Sequence, residues 1–163
     1  MYVYTVPFRL TKALPMAPPP LPSLDDSPCF VLSVDGSVRA GFPSPAEDHA
    51  VEPINLTKIL VEHPQATFFF RVAGDSMQNE GIFDGDYVLI DRAVEAQVGH
   101  IVLAVVDNEY TLKFLRRSTS GRYFLEAANS TYPKIMPAAD GTLEIWGVAR
   151  NAFRALPGFK IRG

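Results

Sequence analysis

The chain has 163 residues, of which 47% are hydrophobic and 20% charged, with a formal net charge of −3. That length suits one domain with some chain to spare, and the slight acidity speaks against a broad nucleic-acid-binding surface. A lone Cys29 rules out a disulfide within one chain, and with no apolar run long enough to span a bilayer the expected setting is cytoplasmic, away from a membrane.

Residues 1–50 carry nine of the fourteen prolines. Proline lacks a backbone donor and resists both helix interiors and central strands. The segment therefore reads as an extended arm, with short edge strands at Tyr2–Val6 and Phe30–Val34 and a tight turn at Asp35-Gly36 before Val38. The first residues lack a basic stretch followed by an apolar one, so no signal peptide is expected. Residues 54–63 predict one short helix. Asn55 caps it, Leu56, Ile59 and Leu60 form its apolar stripe, and Pro64 stops it.

Beyond that point strands dominate. The candidates are 67–72, 87–91, 100–106, 109–116, 122–126 and 143–150. They are separated by turn signals at Gly81, Asp84-Gly85-Asp86, Gly99, Asp107-Asn108, Gly121 and Asp140-Gly141. Short strands at this spacing predict a mainly β domain, antiparallel and curled or partly barrel-like.

Two residues sit in chemically suggestive contexts. Ser76 follows Ala73-Gly74-Asp75, where an apolar strand breaks into a turn. Gly74 admits an unusual backbone conformation there, and nearby N–H groups of Asp75, Ser76 and Met77 can then face a developing oxyanion. Lys113 lies inside the strand 109–116, sharing a face with Thr111 and Leu115. If that face is covered, desolvation lowers the ammonium pKa and leaves an amine able to act as a base for a serine hydroxyl. Taken singly, a turn serine and a lysine on a wet or edge strand are the plainer readings.

The remaining titratable groups say less. His49, His63 and His100 are scattered, and His63 suits the C-terminal end of the helix. Asp84, Asp86 and Asp91 are close in sequence but read first as turn residues. Neither a metal-ligand spacing nor a phosphate-binding glycine motif occurs, so no cofactor is expected. Arg116-Arg117 reads as a solvated strand end.

Four blocks in order carry a resemblance. They are Ala73–Met77, Gly81–Asp91, Gly99–Val102 and Glu109–Leu115. Upstream lie Ala40-Gly41-Phe42-Pro43-Ser44-Pro45-Ala46 and Leu60–Ala66 with its His63-Pro64. Together they resemble the LexA/UmuD family of self-cleaving serine–lysine peptidases, and its UmuD members above all, over about residues 38–150. The resemblance implies a curled β catalytic domain, with Ser76 as nucleophile and Lys113 as general base, 37 positions apart. It implies that Ala40-Gly41 is the bond cut, so that residues 1–40 are an arm removed from a 41–163 peptidase domain. It also implies a homodimer, help from RecA filament on single-stranded DNA, and a shortened product that joins a UmuC-type translesion (Y-family) DNA polymerase in the SOS response. The Pro-rich arm shows no helix-turn-helix pattern, so direct sequence-specific DNA binding is not expected. Two alternatives stay open at this level: a phage- or plasmid-type relative serving another partner, and a binding module in which the pair is idle. The segment after about residue 152 has no assigned role.

Overall fold

The computed structural model describes residues 10–12, 29–34, 51–137 and 142–161. The expected strand at Tyr2–Val6, the Asp35-Gly36 turn and the Ala40-Gly41 bond lie outside the described residues. The chain divides into two units, Pro18–Glu62 and the remainder.

In the first unit β2 (Phe30–Val34) pairs antiparallel with β3 (Val51–Asn55), from Phe30 opposite Asn55 to Val34 opposite Val51. Here β3 is an addition to the sequence reading. Pro53 argues against a strand, but a two-stranded ribbon has an outer edge on which a missing N–H costs nothing. Helix α1 (Leu56–Leu60) follows at once. The Asn55 side chain caps it by accepting from the Lys58 N–H at 3.3 Å. The helix is shorter than the expected 54–63. Ile54 and Asn55 belong to the β ladder, and Val61 returns to extended backbone.

The second unit is one curled sheet. Its strands are β1 (Leu10–Lys12), β4 (Thr67–Arg71), β5 (Tyr87–Asp91), β6 (Ile101–Val106), β7 (Glu109–Arg117), β8 (Tyr123–Glu126) and β9 (Leu143–Phe153). The spatial order is β4-β5-β9-β6-β7-β8, with every neighbouring pair antiparallel. The mainly β, curled architecture expected from the sequence is therefore present, without closing into a barrel. One pairing departs from it: β1 lies parallel to the start of β9, Leu10 opposite Leu143 through Lys12 opposite Ile145. There it takes up the side of β9 that β5 leaves after Val148. Nothing in the 10–12 run alternates strongly enough to signal a strand.

Strand β9 is the central strut, and two bulges shape it. Opposite β6 the register slips between Leu103 and Ala104, which face Gly147 and Ile145 and leave Trp146 as the extra residue. The slip restores parity, so Ile145 and Val148 point to the same side although three positions apart. Two packed layers result. Met77, Ile82, Val88, Ile90, Leu103 and Trp146 fill one side. Val102, Ala104, Leu115, Leu125, Leu143, Ile145 and Val148 fill the other. Trp146 is boxed edge-on by Phe68, Phe70 and Tyr110 at 4.9, 5.2 and 5.7 Å, with the Arg92 guanidinium 4.6 Å over its ring. No helix among the described residues is long and apolar enough to cross a membrane.

Gly147 makes the close β5–β9 approach possible. A Cβ there would sit 2.6 Å from the Ile90 side chain and 3.1 Å from the Asp91 carbonyl. Ile90 is fully buried and cannot move aside. Gly147→Ala is expected to destabilise the domain by about 1–3 kcal/mol, read by urea unfolding; an unchanged midpoint would mean that the sheet accommodates the methyl group.

Candidate active site

The turn holding Ser76 begins where β4 ends. Val72 continues the ladder with one bond each way, its N–H to the Asp86 carbonyl at 2.7 Å and its carbonyl from the Gly85 N–H at 3.0 Å. Gly74 then adopts φ +88, a left-handed backbone that a side chain would strain. Its N–H donates to the Asp84 carboxylate at 2.8 Å. The chain reverses, and the carbonyls of Asp75 and Met77 accept from Gln78 N–H and Glu80 N–H at 3.1 and 3.0 Å. The Ser76 carbonyl accepts from the Asn129 N–H at 3.0 Å. Among the described residues, none of the N–H groups of Asp75, Ser76 and Met77 donates to another group of the protein.

Lys113 arrives from the sheet. A two-residue loop, Asp107 and Asn108, both at positive φ, joins β6 to β7 and sets their register. That register puts Lys113 opposite the fully buried Val102. Along β7, Leu112 and Phe114 pack on one layer and Leu115 on the other. Lys113 is thus on a covered face, 6% exposed. Its Nζ lies 2.8 Å from Ser76 Oγ, 2.9 Å from Thr111 Oγ1 and 3.0 Å from the Leu112 carbonyl. No carboxylate among the described residues pairs with it. Burial pushes the Lys113 ammonium below the usual lysine range.

These contacts fix what the pair can do. A neutral amine has two N–H bonds and one lone pair. The Leu112 carbonyl can only accept, so it takes one N–H, and Thr111 Oγ1 accepts the other. The lone pair then faces the Ser76 hydroxyl, which donates to it. The arrangement can move a proton from Ser76 Oγ to Lys113 Nζ. Beside Ser76 opens a cleft of about 180 Å³, walled by Phe70–Gly74 and by Tyr110–Leu112, with Met77, Val88 and Leu103 at its base.

Other residues singled out in the sequence lie apart. Asp84 serves Gly74. Asp86, 3% exposed, receives Arg154 on both oxygens at 2.6 Å, and Arg154 also bonds the Gly81 carbonyl at 2.8 Å. That hydrogen-bonded guanidinium, against the cost of burial, holds the Asp86 carboxyl below the usual range. The segment after 152, unassigned from sequence, thus anchors the loop that carries Asp84. His63 does not cap the helix, which ends three residues earlier; its Nδ1 meets the buried Asp91 carboxylate at 2.7 Å. Arg116 and Arg117 are not simply solvated: one pairs with Glu126 at 3.0 Å, the other bonds the Gly121 carbonyl at 3.1 Å.

Three contributors were not foreseen in the sequence. Thr111 shares a face with Lys113, and that alternation could have flagged it. Asn129 is buried, and Tyr132 donates its hydroxyl to Asp75 Oδ1. Their only signal is an Asn-Ser turn just after a strand, which is ordinary loop chemistry.

Comparison with known proteins supplies a family. The model of the family described as Peptidase S24-like matches residues 31–150. The chain is 40% identical to Protein MucA of Salmonella typhimurium over 116 residues, 71% of this chain and 78% of that protein. It is 45% identical to Protein ImpA of Shigella flexneri over 94 residues, 58% and 64% of the two chains. It is 41% identical to the LexA repressor of Halorhodospira halophila over 134 residues, 82% of this chain and 58% of that one.

A depressed lysine has a thermodynamic signature. The folded state binds fewer protons than the unfolded chain between the two pKa values, so stability rises with pH there. The penalty is full below the folded value and gone above the unfolded value of about 10.4. Against Lys113→Met, which does not titrate, the wild type is expected to gain relative stability from neutral pH toward about pH 10. Urea unfolding at each pH measures it, and a flat difference would mean an unshifted amine.

Proposed function

The chain belongs to the Peptidase S24-like family, and from that premise we propose that it is a self-cleaving serine peptidase of the UmuD kind. The observation that carries the reading is the 2.8 Å contact between Ser76 Oγ and a buried Lys113 amine with no counter-charge. Such an amine is the base a serine needs near neutral pH.

In the proposed reaction Lys113 takes the Ser76 proton as Oγ bonds the carbonyl carbon of Ala40. Backbone N–H groups of the Asp75–Met77 turn receive the oxyanion. The Ala40–Gly41 C–N bond breaks, and the leaving amine of Gly41 takes the proton back from Lys113. Water, again deprotonated by Lys113, then frees Ser76 from the Ala40 ester. The cut separates an arm, 1–40, from a product, 41–163. The bond lies outside the described residues, and its assignment rests on the 40–46 resemblance. Two small residues suit a narrow cleft and a close backbone approach.

Likeness to the UmuD members extends the proposal to partners. RecA filament on single-stranded DNA promotes docking of the 40–41 segment, the chain works as a homodimer, and the product serves a UmuC-type translesion polymerase in SOS mutagenesis. One turnover per molecule makes the chemistry a switch, after which the product acts by binding.

Raised pH tests the chemistry without a partner. At about pH 10, where more of Lys113 is neutral than at about pH 7, the purified chain is expected to yield a fragment beginning at Gly41, identified by intact mass. Ser76→Ala and Lys113→Ala should leave it whole. Variants that cut as fast as wild type would remove both residues from the mechanism. At neutral pH, RecA filaments should accelerate the same cut.

A further inference from the structure

The Ser76 turn is held from outside by a loop that the proposed chemistry does not use. Asn129, 6% exposed, makes the central contacts. Its N–H donates to the Ser76 carbonyl at 3.0 Å. Its Nδ2 reaches the Asp75 carbonyl at 3.5 Å and Asp75 Oδ2 at 3.4 Å. Its Oδ1 is fixed in turn by the Thr131 N–H and hydroxyl at 3.1 and 2.8 Å. Tyr132 adds the last link, donating its hydroxyl to Asp75 Oδ1. Both carboxylate oxygens of Asp75 are therefore engaged by one loop.

We infer that Asn129 and Tyr132 are positioning residues that brace the Ser76 turn and aim its backbone N–H groups at a developing oxyanion. The reason is the planarity of the peptide unit. In a trans peptide the C=O and N–H point in opposite directions, and none of the described peptides is cis. Holding the Asp75 carbonyl fixes the direction of the Ser76 N–H. Holding the Ser76 carbonyl fixes that of the Met77 N–H. Asn129 holds the Ser76 carbonyl through its N–H and adds a longer contact to the Asp75 carbonyl, which the Gln78 N–H also holds at 3.1 Å, so both donors are oriented. A donor already aimed needs no reorganisation when charge appears, and that is the source of its effect.

Tyr132 is the tunable part, because it is 41% exposed and its hydroxyl meets a single acceptor. The hydrogen bond to Asp75 and the charge of that carboxylate push the Tyr132 hydroxyl above the usual phenol range.

The inference rests on Ser76 being the nucleophile, so the test reads Ser76 itself. An alkyl fluorophosphonate is added to the full-length chain. Ser76 Oγ bonds phosphorus, fluoride leaves and the proton passes to Lys113, with the phosphoryl oxygen where the oxyanion would be. Intact mass follows the rate. Tyr132→Phe and Asp75→Ala, both at exposed positions, are each expected to slow modification by about ten-fold. The double variant should be no slower than the single ones, because the pair acts as a unit. In Tyr132→Phe the pH midpoint of the reaction should stay at its wild-type value, since the aromatic ring 5.9 Å from Lys113 Nζ and the charge of Asp75 are both kept. Rates within two-fold of wild type, losses that multiply in the double variant, or a displaced midpoint in Tyr132→Phe would each overturn the brace. An unreactive wild-type Ser76 would sink both this and the proposed function. A reactive Ser76 in a chain that never cuts at 40–41 would remove only the proposed substrate.

Discussion

Everything in the candidate site depends on one buried amine without a counter-ion. A lysine in water keeps its proton to high pH, and a carboxylate beside it would hold the proton more firmly still. Lys113 has neither solvent nor a carboxylate. It has a hydroxyl, a second hydroxyl and a carbonyl, all within 3.0 Å. Those three neutral partners satisfy an amine but cannot neutralise an ammonium. The sheet maintains that condition. The β6–β7 turn fixes the register that sets Lys113 opposite Val102, and packed layers on both sides exclude water.

The serine half depends on distant parts of the chain. The turn at Ser76 is tied to Asp84 through Gly74 and to the 129–132 loop through Asp75 and Ser76. Asp86, in the same loop as Asp84, is held by Arg154 from beyond β9. Two segments thus meet the turn directly, and a third, at Arg154, supports the first of them. A short Gly-Asp-Ser run is common, and what sets this one apart is the number of independent supports that leave it one conformation. The Peptidase S24-like match over 31–150 includes two of these supports and stops short of Arg154.

Most of the larger sheet was legible in the sequence because its strands alternate and its turns are punctuated by glycine, aspartate and asparagine. Lys113 was legible through that same alternation, which gave it Leu115 as a face-mate. Strand β3 was not, since Pro53 signals a break and only pairing with β2 overrides it. The helix was overestimated for the same reason, its first residues being drawn into that ladder. Asn129 and Tyr132 were invisible because their importance comes from whom they meet across the fold, and one sequence holds no record of that. The bond at Ala40-Gly41 falls outside the described residues, so there the sequence is the sole guide.

The parallel pairing of β1 with β9 bears on what happens after the proposed cut. Residues 10–12 lie upstream of Ala40-Gly41, yet they pair with β9, which lies downstream of it. Breaking the backbone would therefore leave two chains still interlocked by a three-residue ladder. Scission and separation become distinct events, and the second is a dissociation with its own dwell time. A nicked pair that co-elutes in gel filtration and comes apart only on dilution would reveal that lag. Prompt loss of the arm would mean that β1 contributes no hold.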